Sequence, residues 1–395
     1  YDFDKSSTLT VPGDWNSQYE KLFYYEGTVW YKRSFDYIFS KENNRLFVYF
    51  GAVNYKAEVY LNGKKLGTHE GGFTPFNFEV TDIVKTKDNY LVVKVDNKRF
   101  KEAVPTINTD WWNYGGITRD VKLIEEPKTF IQDYKVQLKK GNANIVSGYV
   151  KLNNSIGNEA VTITIPELKI NKTFTANNGA IEFEISTKSI SYWSPESPKL
   201  YDVFIKTAGQ SLKDEIGFRT IETVGPDILL NGKSIFLRGI CIHEENAMRG
   251  ARAYNDADAL VALNWAKELG CNYVRLAHYP HNEHIVKLAD KMGIMVWEEI
   301  PVYWTVDFTN EKTLNNAKNQ LTEAIIRDKN RAAIIIWSMA NETPPSEVRN
   351  TFLKNLISHS KSLDDTRLIS AALEKHFKDG ANVVDDEIGN YLDIV

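Results

Sequence analysis

Apolar and polar positions divide the chain into two kinds of sequence. From residue 1 to about 222, short segments alternate between apolar and polar residues, the period of two expected of half-buried strands. From about 223 to 395, short uninterrupted apolar runs alternate with longer segments of helical spacing. The first pattern predicts antiparallel sheets, and the second predicts strand–helix units built on a parallel sheet.

The antiparallel region is long enough for two domains. Residues 1–125 are predicted to form a jelly-roll β-sandwich, with strands such as Arg45–Phe50 and Ala57–Leu61. Asn62-Gly63, directly after the second of these strands, is a strong signal for a tight hairpin. Residues 126–222 contain six predicted strands, which suits an immunoglobulin-like sandwich.

Residues 223–395 are predicted to form a (β/α)8 TIM barrel that is present only to about its sixth strand. The predicted strands are Phe236–Cys241, Tyr273–Leu276, Ile294–Trp297, Ala332–Trp337, Leu368–Ala372 and Leu392–Val395. The predicted helices are Asp256–Glu268, Asn282–Lys291, Lys312–Arg327 and Ser346–Leu363, and Asn255 supplies an N-cap signal for the first. Because an unclosed parallel sheet exposes strand edges, we expect the native protein to continue past Val395.

Composition and charge exclude several classes of protein. With a net charge of −4, the sequence lacks the basic footprint of a nucleic-acid-binding protein, and no apolar run is long enough for a transmembrane helix. No glycine-rich phosphate loop or metal-spaced set of Cys and His is present, so neither a cofactor nor a metal is expected. The only cysteines, Cys241 and Cys271, lie in apolar runs and are predicted to be buried free thiols. The chain begins at Tyr1 rather than Met, and we favour a periplasmic or secreted location over a cytoplasmic one.

Polar side chains follow each of the first five predicted barrel strands. They are His243 and Glu244, His278 and Tyr279, Glu298 and Glu299, Asn341 and Glu342, and Glu374. Because the carboxyl ends of barrel strands form one face, we expect these groups to converge there, with Trp297, Tyr303 and Trp304 as aromatic surface at the same rim. Paired carboxylates in a cleft with aromatic walls are typical of glycoside hydrolysis.

Glu342 is the candidate for the general acid of such a reaction. It follows the apolar run Ala332–Trp337, which fits a strand buried on both faces, and two prolines then end the strand. A general acid needs its pKa raised by burial or by a neighbouring negative charge, and we expect the end of a buried strand to provide that setting. A strand-end Glu that simply points into solvent is the alternative.

The loop that begins at Asp110, with the sequence Asp-Trp-Trp-Asn-Tyr-Gly-Gly, makes a poor strand. Two interpretations suit it equally. It forms either an exposed loop that carries function or a tight corner around two core tryptophans.

Three motifs of the barrel region resemble signatures of glycoside hydrolase family 2, the group of β-galactosidases, β-glucuronidases and β-mannosidases. The first is Leu237-Arg-Gly-Ile-Cys-Ile-His-Glu244, and the second is Asn272-Tyr-Val-Arg-Leu-Ala-His-Tyr-Pro280. The third runs from Arg327 to Glu342 and resembles the acid/base signature, although the family often has His-Pro where this chain has Arg331-Ala332. The likeness covers the whole chain, from a sugar-binding-type jelly roll through an immunoglobulin-like sandwich to a TIM barrel.

The resemblance implies roles for individual residues. Glu342 would be the general acid/base of a retaining reaction, and Asn341 would hydrogen-bond the substrate 2-hydroxyl. The sugar subsite would be lined by His243, His278 and the loop residue Asp110. We also expect substrate-binding positions at Glu299, Trp297 and Tyr303. The nucleophile of the family is a Glu on the seventh barrel strand, which this sequence does not contain, so neither Glu299 nor Glu374 is assigned that role.

The resemblance therefore implies an exo-acting retaining β-glycosidase that takes terminal β-linked sugars from oligosaccharides or polysaccharide fragments. The segments around Asp110, Ala340–Pro345 and Ser362–Ser370 look closest to the β-glucuronidase branch. A β-galactosidase of the same family is the main alternative, and an inactive carbohydrate-binding relative is an alternative of another class. A homo-oligomer is possible, and the sequence does not indicate the number of subunits.

Overall fold

Two antiparallel sandwiches precede a parallel α/β unit in a computed structural model, which describes residues 3–155 and 157–395. The strands of the first sandwich are β1 (Thr28–Phe35), β2 (Arg45–Phe50), β3 (Lys56–Leu61), β4 (Lys64–Glu70), β5 (Phe76–Glu79), β6 (Asn89–Asp96) and β7 (Val121–Glu126). They form two sheets in the orders β1-β6-β3-β4 and β5-β2-β7. Between β3 and β4, Asn62 and Gly63 have φ of 52° and 84°, as a type I′ turn requires, so the predicted hairpin is confirmed.

The second sandwich also has two antiparallel sheets, in the orders β11-β10-β13-β14 and β12-β9-β8. Its strands are β8 (Phe130–Lys139), β9 (Asn142–Asn153), β10 (Glu159–Ile165), β11 (Ile170–Ala176), β12 (Ala180–Ser186), β13 (Tyr201–Lys206) and β14 (Ser211–Ile216). The strand β11 was not predicted, because it lies at a sheet edge and buries only Ile170 and Ala176, at its two ends. Its polar middle therefore lacks the alternation that identifies a half-buried strand.

A small sheet of β15 (Ile221–Val224), β16 (Asp227–Leu230) and β17 (Lys233–Ile235) leads into the last part of the chain. There the strands are β18 (Gly239–Ile242), β19 (Glu245–Asn246), β20 (Ala251–Arg252), β21 (Tyr273–Leu276), β22 (Met295–Glu299), β23 (Ile334–Asn341), β24 (Leu368–Ala372), β25 (His376–Lys378) and β26 (Ala381–Val383). The α-helices are α1 (Asp256–Glu268), α2 (Glu283–Met292), α3 (Glu311–Asp328) and α4 (Glu347–Leu363). Short 3-10 helices lie at Phe3–Lys5, Glu20–Leu22, Pro166–Leu168 and Glu387–Tyr391.

The central sheet of this part is parallel throughout, in the order β18-β21-β22-β23-β24. Every residue of β23 is buried, so the predicted two-sided burial of this strand is confirmed. The first helix begins where predicted, since the Asn255 side chain accepts a hydrogen bond from the backbone N–H of Asp258. None of the helices among the described residues is both long and apolar enough to cross a membrane.

The prediction of a sixth strand at Leu392–Val395 was wrong. This segment has no strand structure, although the backbone N–H of Asp393 donates to the carbonyl of Ile369 in β24. The Asp393 carboxylate in turn accepts from the N–H of Ile369. The segment is thus held beside β24 by a side chain as well as by backbone, which interrupts a regular ladder.

The two sandwiches contact opposite ends of the parallel sheet. From the second sandwich, the guanidinium of Arg219 donates to the carbonyls of Ala332 and Ile334, at the amino end of β23. Nearby, Arg331 pairs with Asp214. From the first sandwich, the loop that leads into β7 reaches the carboxyl ends of the strands. The predicted domain boundaries, at 125/126 and 222/223, remain predictions.

Candidate active site

The carboxyl ends of four neighbouring parallel strands bring polar and aromatic side chains together. The residues come from the ends of β18, β21, β22 and β23, and from one loop of the first sandwich: His243, Arg275, His278, Glu299, Asn341, Asp110 and Trp111. Parallel strands place their carboxyl ends on one face of a sheet, which is why residues far apart in sequence meet here.

Glu299 is the centre of the hydrogen bonds within this group. It is buried, and its carboxylate accepts from Arg275 at 2.9 and 3.0 Å and from the Trp297 indole N–H at 2.7 Å. The Nδ1 atom of His278 lies 2.6 Å from the same carboxylate. Because a carboxylate only accepts, this contact puts a proton on Nδ1 of His278 and leaves Nε2 available to a ligand.

Arg275 connects this centre to Asn341. Its guanidinium donates to the Asn341 side-chain oxygen at 2.5 Å and lies over the Trp297 ring. Burial, the largest single influence, lowers the pKa of the Arg275 guanidinium, but the charge of Glu299, its hydrogen bonds and smaller contributions from Cys241 and Tyr273 together raise it overall. The side-chain oxygen of Asn341 is thereby occupied. The side-chain NH2 group of Asn341 has no partner among the described residues and is available as a donor.

The loop of the first sandwich completes one wall. Trp111 is buried, with ring centroids 5.0 Å from Tyr303, 5.8 Å from His278 and 6.2 Å from His243. Burial, and after it the Asp110 carboxylate, raise the pKa of Tyr303, which places Asp110 beside the phenol. The interpretation of the loop as a corner around two core tryptophans was wrong, because Trp111 is buried but Trp112 is exposed. That the loop carries function stays a prediction.

Asp110, His243 and His278 present ligand atoms that all lie within 4.8 Å of one another. The Nδ1 atom of His243 is buried and has no hydrogen-bond partner among the described residues. Burial, and after it the neighbouring His278, lower the pKa of His243, so its imidazole is neutral at pH 7. Asp110, His243 and His278 together suit two or three hydroxyl groups of one ligand. Their spacing is also compatible with a cation, and the sequence did not predict a cation site.

Glu342 lies at the open edge of this group. Its φ of 46° is positive, its backbone N–H donates to the Ala372 carbonyl, and its carboxylate accepts from the Trp304 indole N–H at 3.1 Å. The expected burial of Glu342 was wrong, because the residue after Asn341 turns out of the sheet and is exposed. A carboxyl group at the mouth of a polar pocket can still exchange a proton with a bound ligand.

A buried ionic network supports the site from behind. The Arg119 guanidinium lies 3.1 Å from both carboxylate oxygens of Glu244, and Arg252 lies 2.8 Å from one of them. Arg252 also donates to the hydroxyl of Tyr279. Glu244 and Tyr279 directly follow His243 and His278, so this network fixes the backbone that carries both imidazoles.

Models of the domains of one protein family match consecutive parts of the chain. The sugar-binding domain of glycosyl hydrolases family 2 matches residues 1–127, a second model of that family matches 117–219, and its TIM barrel domain matches 221–392. The chain belongs to glycoside hydrolase family 2. Its multidomain fold, predicted from the sequence, is confirmed by these matches.

Individual family 2 proteins are similar over most of the chain. A protein of Formosa agariphila that carries a provisional β-glucuronidase name is 32% identical over 96% of this chain. A β-galactosidase of Thermoanaerobacterium thermosulfurigenes is 30% identical over 82% of it. The chain spans about half the length of these relatives, 48% and 47% respectively.

The fold is similar to that of a solved family 2 enzyme. The structure of a β-glucuronidase from an uncultured Clostridium species superposes with a TM-score of 0.85 at 28% identity. The match covers 99% of this chain and 71% of that one.

The structure brings together most of the residues that the sequence singled out in this family 2 chain. Asp110, His243, His278, Asn341 and Tyr303 line one group, and Glu342 lies at its edge. Trp297 and Glu299 are buried and bind protein groups, and their predicted contact with substrate stays a prediction.

Other expectations about the site region were wrong. Glu374 is exposed and lines a separate open depression of about 790 Å³ with His376 and Asp385, so it does not join the group. Cys241 is exposed, and only Cys271 is a buried free thiol. In β18 only Ile242 is fully buried, which is why an apolar run did not guarantee burial of Cys241.

Sequence reasoning also missed residues. Arg275 lies in the second motif, on strand β21. Because side chains alternate between the two faces of a strand, Arg275 lies on the same face as Tyr273. Trp111 lies in the loop that begins at Asp110, which the sequence had already indicated as a candidate functional loop. Arg119 gave no local signal, because its partner Glu244 is 125 residues away.

Proposed function

We propose that this chain forms part of an exo-acting retaining β-glycosidase, with a β-glucuronide as its substrate and Glu342 as its general acid/base. The observation that carries the proposal is the position of Asn341 and Glu342 at the carboxyl end of β23, beside the group formed by Asp110, His243 and His278. This arrangement puts one exchangeable proton next to a set of hydroxyl-binding groups, as glycoside hydrolysis requires.

The hydroxyl-binding groups divide into donors and acceptors. Asp110 accepts through its carboxylate, while Nε2 of His278 is available to a hydroxyl because Nδ1 faces Glu299. Asn341 donates through its NH2 group, since Arg275 already occupies its oxygen. A sugar hydroxyl both donates and accepts, so neighbouring groups of opposite kind can bind one ring in a single orientation.

Glu342 acts in both halves of the proposed reaction. In the first, it gives a proton to the glycosidic oxygen as a carboxylate nucleophile attacks the anomeric carbon and the leaving group departs. In the second, Glu342 takes a proton from the water that releases the sugar. Retaining enzymes hold the two carboxyl groups roughly 5–5.5 Å apart. No Glu of this chain is assigned as the nucleophile.

The support for a β-glucuronide over a β-galactoside comes from the names of similar proteins and from the sequence around Asp110 and Ala340–Pro345. A β-galactosidase among the relatives keeps the galactoside as the second candidate. A relative that binds sugars without hydrolysing them is the third, and the Asn341-Glu342 pair argues against it. The substrate is expected to be an oligosaccharide or a polysaccharide fragment.

A panel of nitrophenyl β-glycosides, assayed with the full protein, separates these candidates. We expect turnover of the β-glucuronide, with the rate on the β-galactoside at least about tenfold lower. Turnover of the galactoside alone would replace the proposed substrate. Binding without turnover of any glycoside, measured by calorimetry, would replace the proposed enzyme with a carbohydrate-binding protein.

A further inference from the structure

Trp304 is in direct contact with the carboxylate of Glu342. Its indole Nε1–H donates to Oε2 of Glu342 at 3.1 Å. One side of its ring lies against Tyr303, with 4.6 Å between ring centroids, and the residue as a whole is 37% exposed. A large aromatic side chain that keeps a third of its surface in solvent while it binds a candidate catalytic group calls for a functional explanation.

The backbone fixes both partners of this contact. The N–H of Trp304 donates to the Asn341 carbonyl at 3.0 Å, and the N–H of Asn341 donates to the Val302 carbonyl at 2.9 Å. Tyr303 forms a parallel bridge with Asn341. The loop after β22 is therefore joined to the end of β23 on both sides of the indole.

Trp304 and Glu342 also share an uncommon backbone conformation. Their φ angles are 51° and 46°, in the left-handed region that bulky residues rarely adopt. Residues other than glycine keep this conformation where surrounding structure holds them in it, and such residues cluster at functional sites. Two of them that face each other through one hydrogen bond indicate that the orientation of the pair matters.

We propose that Trp304 is a positioning residue for the acid/base Glu342, a role that rests on the function proposed above. An indole N–H can only donate, so Oε2 of Glu342 must accept whether the carboxyl group is charged or neutral. The proton that Glu342 transfers is therefore carried on Oε1. The exposed side of the indole then lies beside the leaving group and offers an apolar face to a sugar or aryl ring.

In the proposed step, a carboxylate nucleophile bonds to the anomeric carbon as the glycosidic C–O bond breaks. The electron pair of that bond stays on the glycosidic oxygen, which takes the proton as the O–H bond at Oε1 of Glu342 breaks. The carboxylate that results still accepts from Trp304 through Oε2. The hydrogen bond from Trp304 is kept in both states, so the carboxyl group holds one orientation throughout the proton transfer.

The variant Trp304→Phe tests this proposal, because it removes the N–H and keeps an aromatic ring. Trp265→Phe is the matched control, since Trp265 is 46% exposed on α1, away from the site. Both variants of the full protein are assayed on two β-glucuronides. One has a dinitrophenol leaving group that needs no protonation, and the other has an alkyl or sugar leaving group that does.

We expect Trp304→Phe to lower kcat/KM on the second substrate by about tenfold, the effect of one hydrogen bond to a charged group. The rate on the dinitrophenyl substrate should change by less than about twofold, because that substrate bypasses the acid. The Trp265→Phe control should match the wild type on both substrates.

An equal loss on both substrates would show that Trp304 is only structural and would overturn the proposal. Unchanged rates on both would overturn it as well. Wild-type turnover separates these results from a failure of the proposed function. If the wild type hydrolyses neither substrate nor any other β-glycoside, the function itself is wrong and the role of Trp304 is rejected with it.

Discussion

Replacement of Arg119 by Met should strongly destabilise the protein, because it removes one partner of a buried ion pair. The Arg119 and Glu244 side chains are each only 3% exposed. Arg119 also donates to the carbonyls of Phe73 and Pro280, both at 2.6 Å. Met keeps much of the volume of the side chain but removes the charge and all these donors.

The magnitude follows from what is left behind. Burial alone would raise the pKa of Glu244, but Arg119 and Arg252 together hold it below its usual range. Without Arg119, the buried carboxylate of Glu244 keeps only one cationic partner, Arg252. The backbone carbonyls of Phe73 and Pro280 each lose a donor. Breaking a buried ion pair from one side costs about 3–5 kcal/mol, which is a large part of the ~5–15 kcal/mol that stabilises a typical domain.

Urea denaturation followed by tryptophan fluorescence measures this loss, with Lys122→Met as the matched control. Lys122 lies on the adjacent strand β7 and pairs with Asp120 at 3.0 Å, but its side chain is 47% exposed. Exposed pairs contribute about 0–1 kcal/mol, so the control should unfold almost as the wild type does. If Arg119→Met lost no more stability than Lys122→Met, our account of the buried network would be refuted.

Three further predictions follow from the structure. Asp110→Asn should lower kcat/KM on the glucuronide by at least about a hundredfold, yet change the unfolding free energy by less than about 0.5 kcal/mol, because Asp110 is exposed. Burial lowers the pKa of His281 to about 3 in the folded protein. Below pH ~6.5 the unfolded state therefore binds one more proton than the folded state. The free energy of unfolding should fall by ~1.4 kcal/mol per pH unit from there down to pH ~3. His281→Asn should flatten that slope in denaturation curves at pH 5 and 7. Asn255→Ala should cost about 1 kcal/mol of stability in the same assay, through loss of the α1 cap.

Local features of the sequence were sufficient for most of the fold. The Asn62-Gly63 turn has positive φ at both residues, as the dipeptide predicted. The strands Tyr273–Leu276 and Leu368–Ala372 and the helix Asp256–Glu268 have their predicted bounds. In each case the signal lies within the segment itself, in its turn residues, cap or apolar period.

The positions of site residues in the chain were predictable, but their partners were not. The order of parallel strands predicted that His243, His278 and Asn341 would meet, because strand ends share one face. That Glu299 binds Arg275 depends on which way each side chain points, and the link from Arg119 to Glu244 depends on how two domains pack. Glu342 was expected to be buried because strand β23 is buried. Its own positive φ turns it out of the sheet, so it is exposed.

The most direct test of the central claim is the reaction of a Glu342→Ala variant of the full protein in the presence of azide. On a glucuronide with a dinitrophenol leaving group, glycosyl transfer needs no acid, but the second step loses its base. Our account predicts a slow variant that azide accelerates, with a β-glucuronyl azide as the product, because azide needs no base and retention requires two inversions. Full activity without azide, or the absence of an azide product together with equal losses on activated and unactivated substrates, would contradict it.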